Sequence, residues 1–145
     1  MKWAALIAWL VTAGGGFILL SIWLARGGMR QNQAGRIRPL LILSHFLLAA
    51  GGLVVWIIYL VADTEALKWV ALATLGVVAL LGFTMFFIWA RQRQMRAAAA
   101  PATATPVEPD RPAEQHFPVS VVALHGLAAV TTVVLVFLTA IGVGD

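Results

Sequence analysis

Residues 39–62 read PLLILSHFLLAAGGLVVWIIYLVA, an apolar run without Asp, Glu, Lys or Arg and with His45 as the only ionisable group well inside it. As a helix, at about 1.5 Å per residue, such a run crosses a hydrocarbon core of about 30 Å. Three further stretches, 3–25, 69–90 and 117–144, share its length and its freedom from those four residue types. Around them the chain of 145 residues is 61% hydrophobic and 11% charged. Soluble domains average roughly 45–50% apolar and about 25% charged, so an ordinary water-soluble globule is excluded. The reading is an all-α integral membrane protein of four transmembrane helices. The first run exceeds the h-region of about 7–15 residues of a leader and is followed by no A-x-A site, so it reads as a span.

There is no cysteine. Disulfides, thiolate metal sites, iron–sulfur clusters, covalent c-type haem and a Cys nucleophile are thereby excluded. A net charge of +4 would suit nucleic acid, but the basic residues flank the apolar blocks, so the partner they indicate is the lipid bilayer and not nucleic acid. Arg26, Arg30, Arg36 and Arg38 lie between the first two spans, and Arg91, Arg93, Arg96 and Arg111 between the last two. The other side carries Lys2 and Lys68 beside Asp63, Glu65 and Asp145. The positive-inside rule then predicts both termini outside and the Arg-rich loops in the cytoplasm of a bacterial-type inner (plasma) membrane. Trp3, Trp23, Trp56, Tyr59, Trp69 and Trp89 fall near span ends, as an aromatic belt requires. The fourth span has neither Trp nor Tyr, which suggests shielding by other helices or a partner, or chance. The stretch AAAAPATATPVEPDRPAEQ, residues 97–115, reads as a flexible linker that forms no element of its own.

Laid on itself with a shift of 66, the chain matches KWAAL from Lys2 with KWVAL from Lys68, Gly16-Phe17 with Gly82-Phe83, Ile22-Trp23 with Ile88-Trp89, and Met29-Arg30 with Met95-Arg96. Matched Lys-Trp, Ile-Trp and Met-Arg pairs are not what shared hydrophobicity produces. Further on, SHFLLAAGGLVV from Ser44 aligns with LHGLAAVTTVVL from Leu124, pairing His45 with His125. This reads as a duplication, repeat one 1–63 and repeat two 67–145, within a single membrane domain. Two tandem hairpins of the same orientation then pack as one four-helix bundle about a pseudo-two-fold axis along the membrane normal. Ala4, Ala8, Thr12 and Gly16 form a small-residue stripe for close helix packing, with no chemistry assigned.

His45 lies six residues after Pro39 and His125 seven after Pro118, so both sit about 9–11 Å from the cytoplasmic helix ends. Two imidazoles at one depth can face each other across a bundle and supply both axial nitrogens of one haem b, which makes His45 and His125 the candidate metal ligands. On the same faces, Ala49 and Gly52 follow His45, and Ala128, Ala129 and Thr132 follow His125; these small residues are the candidate slot for the macrocycle. Arg36, Arg38, Arg91 and Arg93 at the cytoplasmic rim are candidate propionate partners, although topology alone also places arginines there. A quinone or proton site is a second reading of the pair. A third is packing or partner contact, with Ser44 or Thr132 as hydrogen-bond partners. His116 reads as solvated at the membrane edge.

Paired histidines on separate helices of a small membrane bundle resemble the membrane b-type cytochromes, the group that includes cytochrome b561-like proteins. The resemblance rests on His45 and His125. It implies electron transfer between a quinol or partner redox centre and an acceptor, as an electron-transfer protein or oxidoreductase subunit rather than a stand-alone enzyme. That group commonly stacks two haems on four histidines, whereas this chain has intramembrane histidines for one. Other membrane redox subunits or a second copy are the implied protein partners. No carboxylate lies in the spans for a transporter, the Gly14-Gly15-Gly16 run is followed by Phe17 rather than a phosphate-loop Lys, and no Ser-His-acid set can be assembled. The rival from another class is a cofactor-free accessory subunit of a larger membrane complex.

Overall fold

The computed structural model describes residues 1–30, 37–99 and 112–144. Four long helices make up the architecture: α1 (Lys2–Ala25), α2 (Pro39–Ala62), α3 (Glu65–Ala99) and α4 (Val119–Ala140). Short 3-10 turns at Gly28–Arg30 and Ala113–His116 accompany them, and no strand occurs among the described residues. All four helices are long and apolar enough to cross a membrane. The chain is a multi-pass, all-α membrane protein, as the apolar runs predict.

Local chemistry sets the helix boundaries. Arg38 is extended ahead of Pro39, which takes the first helical position of α2, where its missing N–H costs nothing. Asp63 closes α2 in the left-handed conformation, φ 48°, with its N–H donating to the Tyr59 carbonyl. After α1 the chain turns at Gly27, φ 74°, and Gly28 then lies flat on the Trp23 indole. A Cβ at position 28 would fall 2.1 Å from Trp23 Cε2. Gly28→Ala must therefore displace a wholly buried indole, and a destabilisation of about 1–3 kcal/mol is expected in thermal unfolding of the detergent-solubilised protein.

Each helix packs on its two neighbours in the cyclic order α1, α2, α3, α4, most extensively α1 on α4 and α2 on α3. Helices α2 and α4 therefore stand diagonally opposed. One packed layer gathers Ala5, Trp9, Trp56, Tyr59, Ala71, Leu75 and Val136; a second, towards the arginine-bearing end, gathers Trp23, Ile37, Ile42, Trp89 and Ala113. Positions 66 apart share their burial in these layers, Ala5 with Ala71 and Trp23 with Trp89. Positions 80 apart are also buried alike, Trp56 with Val136 and Tyr59 with Thr139.

Three expectations need correction. Trp23, Trp56, Tyr59 and Trp89 are core residues, and only Trp3 and Trp69 of the expected belt are exposed. Helices in lipid gain little from apolar burial and associate by close packing, so large flat rings fill the interhelical space beside small residues. Gly52, under the Trp9 ring, is such a site. Helix α4 is not shielded by its neighbours, since Leu124, Leu127, Val130 and Phe137 are exposed. Finally, the 97–115 stretch is not wholly a connector. Residues 97–99 continue α3, and Ala113–His116 forms a turn in which Ala113 and Glu114 are fully buried. Glu114 Oε1 accepts the Ile37 N–H at 3.1 Å, and Gln115 Nε2 donates to Gln92 Oε1 at 2.9 Å. The proline bias that suggested a linker belongs to residues 101–112, most of which lie outside the described residues. The AEQH run beyond it carries the polar groups that tie the start of α4 to Ile37 ahead of α2, through Glu114, and to α3, through Gln115.

Candidate cofactor site

His45 on α2 and His125 on α4 reach from diagonal helices into the middle of the bundle. Their ring centroids are 6.4 Å apart and their planes meet at 69°. His45 Nδ1 lies 3.1 Å from the Val78 carbonyl of α3, and His125 Nδ1 lies 3.0 Å from the Thr12 carbonyl of α1. A carbonyl can only accept, so in both rings Nδ1 carries the proton and donates it. In a neutral ring Nε2 is then left with its lone pair, the state in which imidazole binds a metal. Ser44 and Thr132, offered as partners by the sequence, do not serve the rings. The Thr132 hydroxyl pairs instead with Thr12 Oγ1 at 3.0 Å.

A helix carbonyl is normally screened by the side chain one turn further on. Position 16, four after Thr12, and position 82, four after Val78, are both glycine. A Cβ at Gly16 would come within 3.0 Å of His125 Cε1, and one at Gly82 within 3.2 Å of His45 Cε1. Gly15 also faces His125, with a would-be Cβ 3.4 Å from the ring. These notches let each imidazole lie against the neighbouring helix and reach its backbone. Thr12 and Val78 stand 66 apart, as do Gly16 and Gly82, so the two halves hold their histidines by the same device.

The remaining candidates are placed as follows. Ala49, Ala128 and Ala129 are half-buried on the histidine-bearing helices. Gly52 and Thr132 lie two turns beyond the histidines, Gly52 against Trp9 and Thr74 rather than against an imidazole. Arg38 is exposed just ahead of α2; Arg91 and Arg93 are exposed on α3, and Arg93 stacks over Trp89 at 5.3 Å. Arg36 lies outside the described residues. His116 departs from its expected solvation, because its Nδ1 is buried and without a hydrogen bond. The sequence reads Gly16 as helix packing, offers Gly82 only as its repeat match, and gives no role to Glu114. The retention of Gly-Phe at both 16–17 and 82–83 was the available signal for the notches. Glu114 carried none, since an acid in a proline-rich stretch reads as solvated.

The donor set bears on which group fits. Among the described residues no cluster of three or more His, Asp or Glu side chains could enclose a bare ion. Two opposed imidazoles instead complete a group that brings its own in-plane ligands. Two imidazoles on one metal, each bonded at about 2 Å with the ring centre about 1 Å beyond the nitrogen, have centroids about 6 Å apart. The observed 6.4 Å is close to that spacing. The centroid spacing is thus that of two imidazoles sharing one metal. The chain matches no family model, no curated protein and no solved structure.

Proposed function

We propose that this protein is a membrane b-type cytochrome of the b561-like kind, carrying one haem b between His45 and His125 and passing electrons between a quinol or partner redox centre and an acceptor. The carrying observation is the pair itself, two imidazoles from diagonal helices with Nδ1 tied to backbone and Nε2 left for a metal. When bound, the haem supplies a reversible one-electron couple. The chain's own groups do the rest. The Val78 and Thr12 carbonyls fix ring tautomer and orientation, Gly16 and Gly82 admit the rings, and the apolar helices exclude water. Arg38, Arg91 and Arg93 are the described candidates for the propionates, and Arg36 precedes Arg38 by two residues in the sequence. Tandem duplication of one hairpin is our reading of the matched environments, and the bacterial plasma membrane our reading of the location.

Visible absorption of the purified protein separates this reading from its rival. A red protein whose bands sharpen on reduction supports it; a colourless one supports a cofactor-free accessory subunit. Orientation is tested by a reporter fused after Asp145. Eight arginines against two lysines support an outside position for that residue, so periplasmic activity is expected, and cytoplasmic activity reverses the topology.

A further inference from the structure

The two ends of the bundle differ in charge and in distance from the histidine pair. Among the described residues, one end holds Arg26, Arg30, Arg38, Arg91, Arg93 and Arg96 against Glu114; the other holds Lys2 and Lys68 against Asp63 and Glu65. At the second end the lysines are neutralised, Lys2 by Asp63 at 3.3 Å and Lys68 by Glu65. At the first, Arg26, Arg30, Arg38, Arg91, Arg93 and Arg96 are all exposed, and the one described acid, Glu114, is wholly buried. His45 lies six residues from the start of α2 and 18 from Asp63, hence about 9 Å from the arginine-bearing end and about 27 Å from the other. Electron exchange with a partner in water falls steeply with distance, so the arginine-bearing end is the competent one.

Helix α3 extends this face. Its 35 residues span about 52 Å, whereas the bilayer with its headgroups is about 40–45 Å thick. Its first two dozen residues run beside α2, and the remainder projects past the start of α2 with Arg91, Arg93 and Arg96 exposed on it. Arg96 lies six residues, about 9 Å along the helix, past the end of the apolar run at Ala90, whereas the headgroup layer on each side is about 5–8 Å thick, so its charge is offered to a soluble partner.

We propose that this face docks an acidic, soluble one-electron carrier protein. The inference rests on the cytochrome reading for the partner's redox class, and on the charge and the projecting helix for its acidity. Complementary charge of this kind raises association rates and fixes orientation, and its effect weakens with salt.

The test uses the full-length protein in nanodiscs of neutral phosphatidylcholine, with a fluorescently labelled acidic plant-type ferredoxin as probe and a basic cytochrome c as the opposite-charge control. Anisotropy at low salt should show ferredoxin binding that weakens as salt rises, and no binding of cytochrome c. Arg30→Glu/Arg96→Glu, neither residue being part of the haem site, should weaken ferredoxin binding by about tenfold or more. Arg30→Gln/Arg96→Gln should fall between, which separates lost charge from misfolding. No binding, equal binding by wild type and variants, or binding of cytochrome c overturns the proposal. So does loss of ferredoxin binding when phosphatidylglycerol is added, because lipid then occupies the arginines. Absence of docking with haem bands intact sinks the docking alone; docking by a haemless protein sinks the cytochrome reading and the partner's redox class with it.

Discussion

Replacing either His45 or His125 by alanine is expected to abolish the six-coordinate, low-spin haem spectrum, leaving a five-coordinate species or no haem. On the proposed reading each variant removes one of the two nitrogens that would hold the haem, and the two imidazoles are held alike, by carbonyls at 3.1 and 3.0 Å. The effects should therefore be similar in size. His116→Ala should leave the spectrum unchanged, since His116 lies in the 3-10 turn ahead of α4 rather than between the helices. If the pair only packs, each alanine removes one hydrogen bond at a cost of about 1 kcal/mol, and thermal unfolding shows it with no haem band to shift. Absorption spectra of the three variants distinguish these outcomes.

Gly16→Val and Gly82→Val should be nearly as damaging although neither position can bind a metal. The first added carbon alone comes within 3.0 Å of His125 Cε1 or 3.2 Å of His45 Cε1, tighter than an ordinary carbon contact, and valine adds two further methyls beside the ring. Each substitution should push its imidazole off the backbone carbonyl, and the haem content of purified protein should fall by more than half. Gly76→Ala is the control. Position 76 lies in the same helix as Gly82 with nothing within 4 Å of an added Cβ, so removing a helical glycine there should stabilise by about 0.5–1 kcal/mol and leave haem content intact. Equal haem content in all three variants would show that the notches do not serve the histidines.

The helices were open to sequence reading because uncharged apolar runs of this length have one stable solution in lipid, with every backbone group bonded inside its own segment. Three of the four helices match their apolar runs to within four residues at each end, while α3 runs nine residues past the end of its run. Arg91 to Arg96 are polar but good helix formers, and nothing breaks the helix before Pro101. The histidines could be singled out because an ionisable group inside a span is costly and rare. Their partners could not be, because backbone carbonyls carry no sequence signal and a glycine notch looks like any small-residue stripe. The aromatic residues misled for a related reason: proximity to a span end is shared by belt and core positions, and only the direction of the side chain separates them. Glu114 was hidden because its partner, the Ile37 N–H, lies 77 residues away in the chain.

The most direct measurement is the haem content of the purified wild type set against that of the double variant His45→Ala/His125→Ala, with haem and iron both quantified per chain. One haem per chain in the wild type and none in the double variant is the predicted result. A haem-free wild type, or a double variant that keeps its haem, would contradict the account.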